Sequence, residues 1–188
     1  MHATIAAKHP EGFKMADIKV GNGSISILSL IAMVGALLAF IGFFLAITKF
    51  ETTYYGITSV SDAINGMDFL NNTVDGHKVD DAFKFWKVMP LLTMIMALAT
   101  IVLGILPMFG VNNSGVKMAF MVCAIITFVF ALLVFICTAG TAVLDADTWG
   151  KELIEHTKGK RQIGAYFMLI GGLAAGGCAI AEKCGVKL

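Results

Sequence analysis

Residues 25–47 read ISILSLIAMVGALLAFIGFFLAI, without one Asp, Glu, Lys, Arg or His. As an α-helix rising about 1.5 Å per residue, such a run is long enough for a bilayer core of roughly 30 Å, which needs about 20 apolar residues. Three more charge-free runs of similar length follow, at 88–109, 118–139 and 163–181. The third extends uncharged to Leu144, so a longer span would tilt or emerge as helix. The expected fold is an all-α membrane protein, a bundle of four transmembrane helices forming one domain over residues 1–188.

Composition agrees. Hydrophobic residues make up 57% of the chain and charged residues 14%, against about 25% charged in a typical soluble domain. Mean hydropathy is +0.82. Too few polar groups remain to cover a water-soluble globule. A net charge of +1, with charges in blocks between apolar runs, offers no basic field for nucleic acid.

Lys49, Trp86, Lys87, Lys117, Lys160, Arg161, Tyr166 and Lys183 sit at run boundaries, where snorkelling cations and interfacial aromatics are favoured. Pro90 falls in the first turn of the second run, and Pro107 is expected to bend or end it. The first 24 residues hold Lys8, His9, Pro10, Lys14 and Lys19 and no apolar core, so no cleavable signal peptide is expected. Basic residues number six on the terminal side and eight on the long-loop side. Ten acidic residues lie on the long-loop side, and three lysines precede the first span. Both termini are therefore placed in the cytoplasm, in a multi-pass protein of the cell membrane.

The loops are unequal: residues 48–87, 110–117 and 140–162. The first and third share a side and together are expected to cap the bundle. Residues 50–60, FETTYYGITSV, read as a strand, followed by a short helix over 61–70, a turn at Asp75–Gly76 and a helical lead from Asp80 to Trp86. In the third loop Asp147 or Thr148 is expected to cap a helix running to Lys158, with Trp149, Leu153 and His156 on one face. The loop aromatics Tyr54, Tyr55, Phe69, Phe83, Trp86 and Trp149 are the expected loop-interface residues.

In the fourth run GGLAAGG (171–177) places Gly172 and Gly176 four apart, with Gly171 and Ala175 one register earlier. Small residues at that spacing let another backbone approach closely, from the same chain or a second subunit. Gly35, Ala39 and Gly42 in the first run are a weaker version of the device.

Asp75, His77, Asp80 and Asp81 are the candidate ligands for a divalent cation, but they lack calcium-loop spacing, and a solvated acidic turn is the simpler reading. Cys123 and Cys137 lie about 21 Å apart along one helix. No CxxC occurs, so Cys123, Cys137, Cys178 and Cys184 read as structural thiols. Asn22, Asn71 and Asn112 open N-x-S/T sequons that fall on opposite sides of the membrane. No ionisable group lies inside a run, which argues against ion-coupled transport.

Four spans, a long first loop opening on a β-prone run, a very short second loop and an intermediate third loop resemble the claudin and peripheral-myelin-protein superfamily. The resemblance implies a sheet-rich cap that pairs subunits, and adhesion, barrier formation or membrane organisation as function. The first loop holds only Trp86 and no Cys in place of that family's tryptophan-led signature and paired cysteines. The expectation is thus a non-enzymatic, structural or membrane-organising protein without cofactors, self-associating through its loops and glycine face. Its expected partners are the lipid bilayer and a second copy or another membrane protein. The alternatives are a channel or carrier for a small neutral solute, lined by Ser26, Ser29, Thr93, Thr100, Thr127 and Thr138, or an accessory subunit of a larger complex.

Overall fold

The computed structural model describes residues 18–20 and 23–186. Lys8, Lys14, Lys187 and the Asn22 sequon lie outside the described residues. In chain order, β1 (Ile18–Val20) and β2 (Gly23–Ile25) lead into α1 (Ile27–Phe44). The first loop folds as β3 (Thr48–Tyr54), β4 (Ile57–Val60), α2 (Gly66–Asn71), β5 (Thr73–Val74) and β6 (His77–Lys78). A 3-10 turn, Phe85–Lys87, opens α3 (Val88–Ile105). A second 3-10 turn, Leu106–Phe109, contains Pro107 and ends that span. Next comes α4 (Ser114–Cys137). The third loop holds α5 (Ala146–Trp149), α6 (Lys151–Glu155) and β7 (Thr157–Arg161), and α7 (Ile163–Lys183) follows.

Helices α1, α3, α4 and α7 are long and apolar enough to cross a membrane, and the chain is a multi-pass integral membrane protein. Their interior is built of small residues: Ala32, Ala36, Ala39, Ala97, Ala124, Ala131 and Ala175 have no exposed surface. Larger side chains such as Leu37, Val102, Val129, Ile170 and Leu173 point outward. An outside greasier than its inside is unfavourable in water and suits a lipid solvent. Thr93, Thr100, Thr127 and Thr138 are buried, and each donates to the carbonyl four residues earlier in its own helix. The protons of those four hydroxyls are committed to their own helices.

The loop reading needs three corrections. Residues 50–60 are not one strand: Tyr55 (φ 48°) and Gly56 (φ 80°) turn the chain between β3 and β4, which pair antiparallel with Tyr54 opposite Ile57. Two successive positive φ angles make the two-residue turn that matches strand twist. The third-loop helix does not run to Lys158. Asp145 caps α5, Gly150 (φ 70°) interrupts, α6 stops at Glu155, and residues 157–161 form β7 against β3. The lead into α3 is helical only at 85–87; before it Phe83 bridges to Leu144. Both long loops thus meet in one antiparallel sheet of order β4-β3-β7.

Ile47, Phe50, Ile64, Phe69, Phe83 and Leu144 are buried under this sheet and continue into bundle residues Val134, Ala165 and Met168. The cap and the adjoining end of the bundle share one core. Polar ties reinforce the joint. Buried Thr48 donates to the carbonyls of Thr138 and Lys160, each at 3.2 Å, and Gly164 N–H donates to Ala46 at 2.6 Å.

Candidate functional site

The glycine face lies inside the bundle. Helices α1 and α7 run antiparallel with Gly35 against Gly171 and Gly42 against Gly164, seven residues apart on each helix and in opposite order. A Cβ on Gly35 would stand 2.7 Å from the Gly171 carbonyl, and one on Gly42 would stand 2.8 Å from that of Gly164. One register later, Gly172 meets Ala131 and Phe128 of α4, and Gly176 meets Phe128 and Ala124. Residues 171 and 175 therefore serve α1 while 172 and 176 serve α4, which leaves α7 wedged between two helices of its own chain. Of the two occupants that face admits, the described structure supplies the internal one.

The loop aromatics separate into two groups. Phe69 and Phe83 are 1% exposed, with ring centroids 4.6 Å apart, and form the cap core instead of its surface. Trp149 is half-buried beside Phe50, its centroid 6.5 Å away, and its indole N–H is buried without a partner among the described residues. Trp86 is half-buried against Phe85. Tyr54 stacks edge-on with Tyr55 and His156, and its hydroxyl donates to Glu152 at 2.9 Å. That hydrogen bond, ahead of the one with Tyr55, holds the Tyr54 phenol above its ordinary pKa. Tyr55 is 89% exposed.

Sequence reading missed the residues that accompany Tyr55 at the surface. Ile57 and Val60 on β4, Met67 on α2 and Phe85 are all exposed. The outer edge of β4 carries no neighbouring strand among the described residues. Its backbone phase follows from the Ser61 N–H donating to Phe50. With Tyr54 opposite Ile57 and Thr52 opposite Ser59, residues 57, 59 and 61 bond to β3. Thr58 and Val60 turn their N–H and C=O outward. From Thr52 to Ser61 there is no charge to discourage pairing at this edge. Recognising Tyr-Gly as a turn would have exposed the hairpin.

The candidate cation ligands do not converge. Asp75 sits in the β5–β6 turn and accepts from the Asp62 N–H at 2.6 Å; His77, Asp80 and Asp81 are exposed. Among the described residues no three His, Cys, Asp or Glu side chains gather as a metal-holding set. Cys123, Cys137 and Cys178 are half-buried and Cys184 exposed, all as free thiols.

At the opposite end of the bundle, α7 continues past Ala181, so Glu182 belongs to the helix and faces inward. Its carboxylate accepts from the Ser29 hydroxyl at 2.6 Å, and Ser29 also accepts from Ser26 at 3.1 Å. These groups border a cleft of about 570 Å³ between the ends of all four long helices. Ending the fourth run at its last apolar residue hid this carboxylate. No protein-family model, no curated protein and no solved structure matches this chain.

Proposed function

We propose that the chain is a non-enzymatic, membrane-organising protein that pairs with a second copy through the free edge of β4, with its termini cytoplasmic and its cap outside a cell membrane. The observation that carries the reading is an uncharged edge strand with exposed Tyr55, Ile57 and Val60, mounted on a cap that shares its core with the bundle. Two copies joined antiparallel along this edge gain up to four backbone hydrogen bonds from Thr58 and Val60, each contributing a net of about 0.5–1.5 kcal/mol. Apolar contact around Tyr55 and Ile57 adds to them.

The claudin and peripheral-myelin-protein resemblance supports the same reading, because a sheet drawn from the first and third loops is what that superfamily uses to pair subunits. A solute path finds less support, since the four buried threonines are satisfied within their helices.

Mass measurement in native nanodiscs tests the proposal. The parent chain is expected to be dimeric or larger. Thr58→Pro removes one outward N–H without taking a bond from β3, and it is expected to shift the population towards monomer. A parent that is strictly monomeric at all concentrations refutes the proposal.

A further inference from the structure

We propose that the cleft at the terminal end of the bundle holds the headgroup of one phospholipid bearing a primary ammonium, with the ammonium on Glu182 and the phosphate between Lys117 and Lys183. Ser26 and Ser29 come from the first turn of α1, Lys117 from the first turn of α4, and Glu182 and Lys183 from the last turn of α7. All of them come from the ends of the long helices on the side of the termini, and a volume of about 570 Å³ falls within the range of small-molecule sites, roughly 300–1,000 Å³.

The lining is amphipathic in a particular way. Leu103, Pro107, Phe120 and Met121 make apolar walls, and the charged residues Lys117, Glu182 and Lys183 also line the space. Among the residues whose side chains are described, Glu182 has no cation within ion-pair distance, and the ion pair found is Lys160 with Glu51, in the cap. Its oriented carboxylate, held by Ser29, is a ready acceptor for an N–H donor. Two lysines beside one carboxylate disfavour a simple organic cation, and the carboxylate disfavours a simple anion. A zwitterion with ammonium and phosphate groups matches both signs.

Met118 lines the cleft and is 62% exposed, and Val122, one turn further along α4, is also exposed. Acyl chains entering beside Met118 run down that outer stripe while the headgroup stays in the cleft.

Native mass spectrometry of the full chain, released from nanodiscs holding equal parts of phosphatidylethanolamine, phosphatidylcholine and phosphatidylglycerol, reads the preference directly. Phosphatidylethanolamine is expected to be retained at least fivefold over the other two, because a trimethylammonium cannot donate to Glu182 and a glycerol headgroup brings no cation. Glu182→Gln keeps an oxygen for Ser29 and is expected to bring the preference within twofold. Lys117→Ala with Lys183→Ala is expected to weaken retention of all three lipids. Met118→Trp leaves every polar group in place, narrows the mouth and is expected to lower phosphatidylethanolamine retention, which guards against misfolding of the charge variants. Equal retention by the parent, preference for another headgroup, an unchanged preference in folded Glu182→Gln, or unchanged retention in Met118→Trp overturns the assignment.

Discussion

Replacing Gly171 by Ala adds one methyl where α1 and α7 are closest. Its Cβ would lie 2.5 Å from the Ala39 backbone nitrogen and closer still to the Gly35 carbonyl. Ordinary contact begins at 3.4 Å, so the two backbones must part by at least about 0.9 Å, the shortfall at the Ala39 nitrogen. Neither neighbour can swing aside, because both are backbone atoms of a helix packed along its length. A gap of that size forfeits roughly a quarter to a half of the dispersion attraction of each pair along the seam. Overpacking of this kind costs about 1–3 kcal/mol, and rigid neighbours place Gly171→Ala at about 2–3. Gly177 supplies the control, since it lies in the same helix and a methyl added there would have nothing within 4 Å. Both substitutions gain the same helix propensity, about 0.8–1.0 kcal/mol, so their difference isolates the steric cost. Reversible unfolding in mild detergent is expected to rank Gly171→Ala below Gly177→Ala by about 2–3 kcal/mol. Equal stability of the two would refute the close seam between α1 and α7.

Phe83→Ala should cost about 3–5 kcal/mol, because a fully buried ring stacked on Phe69 leaves a cavity; thermal unfolding and faster tryptic cleavage at Lys78 and Lys84 check it. The Tyr54 phenol donates to Glu152, and its raised pKa means that the neutral form is the favoured one in the folded cap. The contribution of that bond is complete below the ordinary tyrosine pKa and is lost as pH rises through the raised value. In Glu152→Gln, ultraviolet titration should therefore find Tyr54 ionising at lower pH than in the parent.

The spans were legible because lipid imposes a length of uncharged residues that no other constraint mimics. Pro107 ended its helix where its missing N–H and fixed φ require. The cap was harder to read. Thr157–Arg161 reads TKGKR, a poor strand by composition, and it pairs because β3 offers a ladder and Gly159 fits against the Thr138 and Gly140 backbone. Tyr55 takes a left-handed conformation that its residue type seldom adopts, so the hairpin turn was hidden inside a β-prone run. Phe69 and Phe83 looked like interface residues because aromatic loops suggest contact, and burial by the other loop is visible only once both loops are folded together. Glu182 escaped notice because the apolar run ends at Ala181, two residues before the helix does.

The central claim is that four helices cross the bilayer with both long loops on one side. In a background lacking Cys123, Cys137, Cys178 and Cys184, single cysteines at Asp62, Glu155 and Asn112 can be labelled in sealed, uniformly oriented vesicles with a membrane-impermeant maleimide. Positions 62 and 155 are expected to react from one side and position 112 only from the other. Labelling of all three from the same side would contradict the four-span topology.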